Sequence, residues 1–513
     1  MNFDKAIGLK INIGLKIIMN EIIMVYPELG AYGTVIVDLP LSLIYAARVA
    51  HKEGYKIKII DCRVEDDWEN KLLKELKNNP LAVTISCMTG KPIYHALKVS
   101  KLVKENSNVP VIWGGIHPTL LPIQTLEHPL IDCVVEGDGE FTLYEIAKAL
   151  EKGKSFHGIA GTYFKENGKV IKNPKRPPTN PNSLPSEIPP YELVDIKKYK
   201  RVGFKETSFS ILTSRGCPHR CAFCHVPATD NKWLSENVDR TINHIKYITE
   251  NFKPDYLFFN DNDFFVDLKR AESIFLEMKK EKIDVIVGFR GMRVSELNRL
   301  DDNFLRLMED IGARELHIGA ESGSQKILDL IKKGINVEDT INVNKKLSKY
   351  SGLRPSYNFF TGVPGETEED IFSTTNLILN LLKENKYAQI SSICQFNPYP
   401  GTELYELAVK YGYQPPKKLE DWIETDQSDY AKKCPWITPD RRKLMDMLYL
   451  AALFVDKKIE WHFLSNKPQF FLLRNISKMY RPIARFRMKN HIYSLPIEVS
   501  LKNFIFNHIE KKL

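Results

Sequence analysis

The chain has 513 residues, 43% hydrophobic and 27% charged. This is the profile of a globular protein of about three domains, and it excludes a disordered, collagen-like or small disulfide-stapled chain. The longest uninterrupted apolar run, Met447 to Val455 between Asp446 and Asp456, falls far short of the roughly 20 residues that span a bilayer. The net charge of +9 is unevenly placed: residues 441–513 hold 15 Lys/Arg against 5 Asp/Glu, and the rest of the chain 58 against 59. Such a basic segment suits an anionic partner (a phosphate-bearing substrate, a membrane surface or nucleic acid) or is simply a solvated face. Of eight cysteines, Cys62, Cys87, Cys133, Cys394 and Cys434 are scattered and Cys217, Cys221 and Cys224 are clustered, which is no disulfide framework. Residues 1–19 form an extension without the apolar core and cleavage site of a secretion signal. Met19, directly before strand-like EIIMVYP, is an alternative start. A reducing cytoplasmic setting follows, with peripheral membrane contact through the basic C-terminal region as an option.

Residues 20–156 alternate β-rich runs (EIIMVYP, YKIKIID, LAVTISC, VPVIWGG, IDCVVEG) with helical stretches. This alternation predicts a doubly wound, flavodoxin-like parallel sheet, whose ligands bind beyond the strand carboxyl ends. Those ends carry Ser86 to Thr89, Gly114-Gly115-Ile116-His117 and Glu136-Gly137-Asp138-Gly139-Glu140, where glycines let a flat or bulky ligand approach the backbone. Residues 157–204 hold a hairpin with Asn167-Gly168 at its turn, then a linker with seven prolines in 174–190, read as extended and non-helical. Residues 205–400 alternate again, with six strand candidates (SFSILTS, YLFFND, DVIVGFR, ELHIGAE, PSYNFFTGVPG, ISSICQFNPYP), which predicts a partial parallel (β/α)6 barrel. Residues 401–513 read as a basic, aromatic-rich helical region.

The cluster Cys217-x3-Cys221-x2-Cys224 follows the first barrel strand, where active-site loops belong. Three thiolates on one loop can hold three corners of an iron–sulfur cube and leave one iron open. The competing reading is a structural zinc site completed by His219 or His225, although such sites use four closed ligands, usually in separated pairs.

This spacing resembles that of the radical S-adenosylmethionine (SAM) enzymes, and further motifs agree. Phe259-Asn260-Asp261-Asn262-Asp263-Phe264 looks like the family's F-x-D-D-x-F, with Asn262 where a second acid is usual. The resemblance implies a [4Fe-4S] cluster on Cys217, Cys221 and Cys224, and Phe223 near the SAM adenine. It implies Asp261 and Asn262 at the SAM amino group and Arg290, expected to end the third strand, at its carboxylate. Glu321 and Ser322 would meet the ribose or methionyl part, and Gly362 and Pro364 the adenine.

A doubly wound domain before such a barrel resembles the cobalamin (B12)-binding subfamily over residues 20 to about 410. By that resemblance Ser86, Thr89, Gly114, Gly115, His117, Glu136, Gly137 and Gly139 face cobalamin. No D-x-H-x-x-G motif is present, which implies cobalamin without an axial histidine. The implied activity is methyl transfer to an unactivated carbon through a 5′-deoxyadenosyl radical and methylcobalamin. The alternative is an oxidative cyclase or C–C bond-forming enzyme acting on a lipid or tetrapyrrole. A small-molecule or lipid substrate and an external electron donor of ferredoxin or flavodoxin type are the expected partners. A non-catalytic cobalamin or light sensor would not need every barrel motif filled. RNA modification is disfavoured because no nucleic-acid-binding module is recognisable.

Overall fold

The computed structural model describes residues 20–30, 38–199, 207–229, 232–425, 433–464 and 468–493. The extension 1–19 and the last twenty residues lie outside this set.

The first domain is a seven-stranded sheet of order β2-β1-β3-β4-β5-β6-β7. Its strands are β1 Glu21–Tyr26, β2 Lys56–Asp61, β3 Ala82–Ser86, β4 Val111–Gly114, β5 Cys133–Val135, β6 Thr162–Glu166 and β7 Lys169–Lys172. The first five run parallel, in the expected doubly wound order, and the last two are antiparallel. The inner parallel strands are largely apolar because helices cover both faces, while the edge strand β2 alternates, with Lys56 and Lys58 exposed. Helices α1 (Leu41–Lys52) and α6 (Glu140–Glu151) pack on one side, and α2 (Trp68–Leu76) and α3 (Lys91–Asn106) on the other. The hairpin expected in the linker extends this sheet to Lys172. Two short helices, α4 (Ile116–Leu120) and α5 (Pro122–Glu127), follow β4, so His117 lies on a helical turn.

The proline-rich segment is not uniformly extended. Three-residue 3-10 turns form at Pro181–Ser183, Tyr191–Leu193 and Ile196–Lys198. It is also bonded to both domains: Thr179 N donates to Asp138 Oδ2 (2.8 Å), and Asn182 Nδ2 donates to Ser235 O (2.9 Å). The prolines fix the path of a strap rather than spacing two free bodies.

The second domain is a six-stranded parallel sheet of order β15-β14-β13-β12-β11-β8, a partial barrel. Its strands are β8 Ser208–Ile211, β11 Tyr256–Phe259, β12 Ile286–Arg293, β13 Ala313–Glu321, β14 Arg354–Thr361 and β15 Gln389–Gln395. A two-stranded ribbon, β9 Ser214–Arg215 with β10 Leu234–Ser235, frames the cysteine loop. Phe259, Phe264, Phe265, Phe275 and Phe289 pack between the sheet and its covering helix Leu268–Lys280, with centroids 4.7 to 6.2 Å apart. Edge and offset contacts of this kind add about 0.5–1.5 kcal/mol each beyond burial. One apolar core runs from the α1/α6 face of the first sheet into this barrel.

The C-terminal residues are helical, as expected. The helix Pro439–Ala451 packs on the barrel, with Met445 against Gly362. Residues Leu419–Trp422 cross back and bury Leu419 and Trp422 against the first domain. No described helix is long and apolar enough to cross a membrane.

Candidate active site

The carboxyl ends of both sheets face one cavity of about 420 Å³, open to solvent. On the first-domain side it is lined by Ser42, Ser86, Gly114, Gly115, Gly137 and Gly139. On the barrel side it is lined by Ser214, Arg215, Gly216, His225, Val226 and Asn262. Gly137 has φ +80° and nothing within 4 Å of where a Cβ would stand, so packing does not require a glycine there, and the cavity wall stays open. Gly115 (φ +95°) is required by the protein itself, since a Cβ would stand 2.8 Å from the Cys87 backbone. A flat group laid on these strand ends would meet backbone and small side chains, which fits a corrin.

Other first-domain residues point elsewhere. Thr89 Oγ1 bonds His117 Nδ1 at 3.0 Å, and His117 is fully buried with its ring edge-on to Trp422 at 5.8 Å. Burial pulls its pKa down to about 3. The structure therefore turns His117 and Thr89 away from the cavity, correcting the expectation that they face cobalamin: helix α4 and Trp422 enclose the imidazole. Glu136 likewise accepts from Tyr163 OH (2.9 Å), outside the cavity lining.

The cysteine loop is pinned at its base. Gly216 (φ +73°) passes so close to the β10 end that a Cβ would stand 2.1 Å from Lys232 O. Asp261 is buried, and its Oδ1 accepts from Thr213 N (3.1 Å), Thr213 Oγ1 (3.0 Å) and Ser214 Oγ. Burial lifts its pKa to about 6 against those donors. Asp261 thus holds the strand that carries the cysteines, and only its Oδ2 lacks a partner among the described residues. Asn262, its neighbour, is exposed in the cavity.

Strand β12 overruns its expected end. Gly291 (φ +75°) carries a bulge, with the pairing register shifting between Phe289 and Met292, and the strand ends at Arg293. Arg290 therefore does not end the strand. Its Nη1 pairs with Asp38 Oδ2 of the first domain (2.8 Å) and it lies over the Phe258 ring. Arg293 takes the terminal position: Nη1 donates to Cys221 Sγ (3.0 Å) and Nη2 to Lys333 O (2.5 Å). Sequence reading missed Arg293 because a bulge is invisible in a hydrophobic pattern.

Further groups surround the loop. His219 Nε2 bonds Glu296 Oε1 (2.9 Å) and lies 3.7 Å from buried Asp263. Burial would raise Glu296, but His219 and Arg293 outweigh it and hold its pKa low. Burial pushes the Cys217 thiol up to about 11 and raises Cys224 too, and neighbouring Cys221 adds to both. Such thiols ionise readily only when a cation takes the charge. The Sγ of Cys217 and ligating atoms of His219 and Asp263 lie within 4.8 Å of one another. His219 is, however, engaged with Glu296, and His225 lines the cavity instead. The three soft thiols on one loop fit an iron–sulfur cluster better than a closed zinc site.

Beyond the loop, Phe223 rests 5.0 Å from Phe360, and the Lys333 ammonium lies 5.9 Å from its centroid. Lys333 Nζ also donates to Glu321 Oε1 (2.6 Å), a buried pair. Glu321 has φ +67°, uncommon for a non-glycine residue. A Cβ at Gly319 would strike both partners (2.3 and 2.6 Å), so that glycine makes room for the pair. Ser322 is a correction: fully buried, it bonds Thr374 Oγ1 (3.1 Å) and accepts from Ser324 N, so it ties β13 to the helix Glu368–Glu384. Gly362 (φ +92°) and Pro364 form a buried turn, held by Gly362 N donating to Glu366 and Trp436 Nε1 donating to Gly362 O (2.9 Å). Burial lifts Glu366 to a pKa of about 8, and its Oε1 has no partner among the described residues.

The two walls are bolted together. Arg215, two residues before Cys217, pairs with Glu140, the first residue of α6, and with Asp138 (3.3 Å) of the glycine-rich loop after β5. Tyr45 of α1 accepts from Leu212 N (2.9 Å) and donates to Leu212 O (3.1 Å).

The fold and site together define a two-domain protein in which the glycine-rich strand ends of an α/β sheet and the residues flanking a three-cysteine loop wall one cavity. Residues 35–147 match the B12 binding domain model and residues 211–378 the Radical SAM superfamily model. The chain is 36% identical over 376 residues (72% of this chain, 78% of the relative) to the uncharacterized methyltransferase PH0819 of Pyrococcus horikoshii. It is 24% identical over 444 residues (83% and 75%) to the anaerobic magnesium-protoporphyrin IX monomethyl ester cyclase of Rubrivivax gelatinosus. Among solved structures, the radical SAM methyltransferase TsrM of Kitasatospora setae matches with TM-score 0.64 at 20% identity, covering 77% of this chain and 78% of that one. The cobalamin-dependent SAM radical enzyme OxsB matches with TM-score 0.70 at 16% identity, covering 96% and 75%. The chain belongs to the B12-dependent radical SAM enzymes, and its cofactors are a [4Fe-4S] cluster, SAM and cobalamin.

Proposed function

We propose that this enzyme is a methyltransferase acting on an unactivated carbon of a small-molecule or lipid substrate. The carrying observation is the cavity walled on one side by the glycine-rich strand ends of the first domain and on the other by Gly216 and His225, which flank the cysteine loop. When bound, the cluster with SAM supplies a 5′-deoxyadenosyl radical and cobalamin supplies a transferable methyl group; the protein supplies placement and exclusion of water. In this reading Cys217, Cys221 and Cys224 hold the cluster. Gly114, Gly115, Gly137 and Gly139, with Ser86, floor the corrin site. Phe223, Asn262, Glu321, Gly362 and Pro364 border the SAM site, and Lys333 fixes the Glu321 carboxylate. The name carried by the 36% identical relative supports methyl transfer. The match to a protoporphyrin ester cyclase favours ring closure as the second reading.

The test begins with anaerobic purification with hydroxocobalamin supplied. Iron, sulfide and corrin are counted per chain, in wild type and in the Cys217→Ala, Cys221→Ala, Cys224→Ala triple variant. SAM labelled on its methyl group is then turned over with lipid and small-molecule extracts. Label in a product that needs all three cysteines supports methyl transfer. An unlabelled product lacking two hydrogens would point to the cyclase. Iron without corrin would end the cobalt route.

A further inference from the structure

The helix Pro468–Lys489 has two apolar faces. One is spent on the core: Phe470, Leu473, Tyr480, Ala484 and Met488 are buried. The other faces solvent: Phe471 is 61% exposed, Met479 76% and Phe486 60%, joined by Leu472 and Ile483. At about 100° per residue these five side chains fall within roughly 120° of the helix circumference, so they form one stripe and not scattered exceptions. Pro482, also exposed, lies on the same side.

The charge on this helix says what the stripe suits. It carries Arg474, Lys478, Arg481, Arg485, Arg487 and Lys489 and no Asp or Glu. Arg474, Arg481 and Arg485 fold back to the carbonyls of Phe463, Asp456 and Val455, which anchors the helix on the protein. Lys478 and Lys489 are exposed beside the stripe. Two copies meeting through this face would bring like charges together. An anionic lipid surface instead takes the apolar side chains into its acyl boundary and the lysines at its phosphates.

We infer that this enzyme docks on anionic membranes through the Phe471–Phe486 stripe of its last described helix. The inference does not rest on the methyltransferase reading.

The test is co-sedimentation of the full chain with vesicles of equal parts phosphatidylglycerol and phosphatidylcholine, against phosphatidylcholine alone. Wild type should partition to the anionic vesicles, and added salt should weaken this. A Phe471→Ser, Met479→Ser, Phe486→Ser variant should lose at least about tenfold in partitioning. The positions are exposed, so its thermal midpoint should match wild type. Lys478→Glu, Lys489→Glu, which leaves the stripe intact, should lose the preference for anionic vesicles. Equal binding to both vesicle types, or unchanged binding by both variants, overturns the inference. So does a dimer that the serine variant dissolves without any vesicle binding, because the stripe would then be a contact between copies.

Discussion

The two walls of the chamber are built from opposite materials. Behind the barrel wall, around the cysteine loop, lies side-chain chemistry: Asp261 under the loop, Arg293 on Cys221, His219 against Glu296, and Lys333 on Glu321, most of them buried. The first-domain wall presents glycines and small residues at its strand ends, between side chains such as Leu41, Tyr45 and Arg176, and His117 is buried outside the lining. A compact metal cluster demands fixed donors and a controlled charge, so its wall is specified atom by atom. A broad flat ligand demands room and a smooth surface, so its wall is specified by what is left out.

Breaking the stiffer wall should have the largest effect. Gly216→Ala drives a methyl group into Lys232 O and should cost about 3 kcal/mol or more. Anaerobically reconstituted protein should then hold almost no iron while keeping its corrin. Equal loss of both would mean that the walls fail together.

The joint between the walls comes next. Arg215→Met leaves Glu140 buried without its cation, a loss of about 3 kcal/mol. Chemical denaturation should show it, and corrin retention on gel filtration should fall although the glycine-lined floor of the first domain is unchanged.

A pH experiment probes a third support, the Glu366 turn. Burial raises this carboxyl from 4.5 to about 8, so folding favours its protonated form. Its contribution is fully present below about pH 4.5 and is lost as pH rises through about 8. Urea midpoints of wild type should therefore fall over that window by more than those of Glu366→Gln. Parallel pH profiles for the two proteins would refute the assignment.

The smallest effect is electronic. Removing the Arg293 donor to Cys221 by Arg293→Met should make the reconstituted cluster harder to reduce. If the lost stabilisation is about 1.4 kcal/mol, the midpoint moves roughly 60 mV negative in an EPR-monitored titration. An unmoved midpoint would show that the bond only positions the loop.

The amino-acid sequence determined the two alternating β/α domains, the cysteine loop and the order of the strand-end motifs, because periodicity and short spacings are local properties. It left the partner of each motif residue open. Arg290 and Arg293 are equally plausible in the chain, and the bulge at Gly291 chooses between them. Ser322 and Asp261 sit in recognisable motifs, yet both serve the frame, since the Ser322 hydroxyl and Asp261 Oδ1 find partners on neighbouring elements. His117 is set by Trp422, and Arg215 by Glu140, 75 residues away. Only tertiary structure decides these, because a buried charge or ring settles wherever a distant segment satisfies it, and that segment leaves no trace in the local pattern.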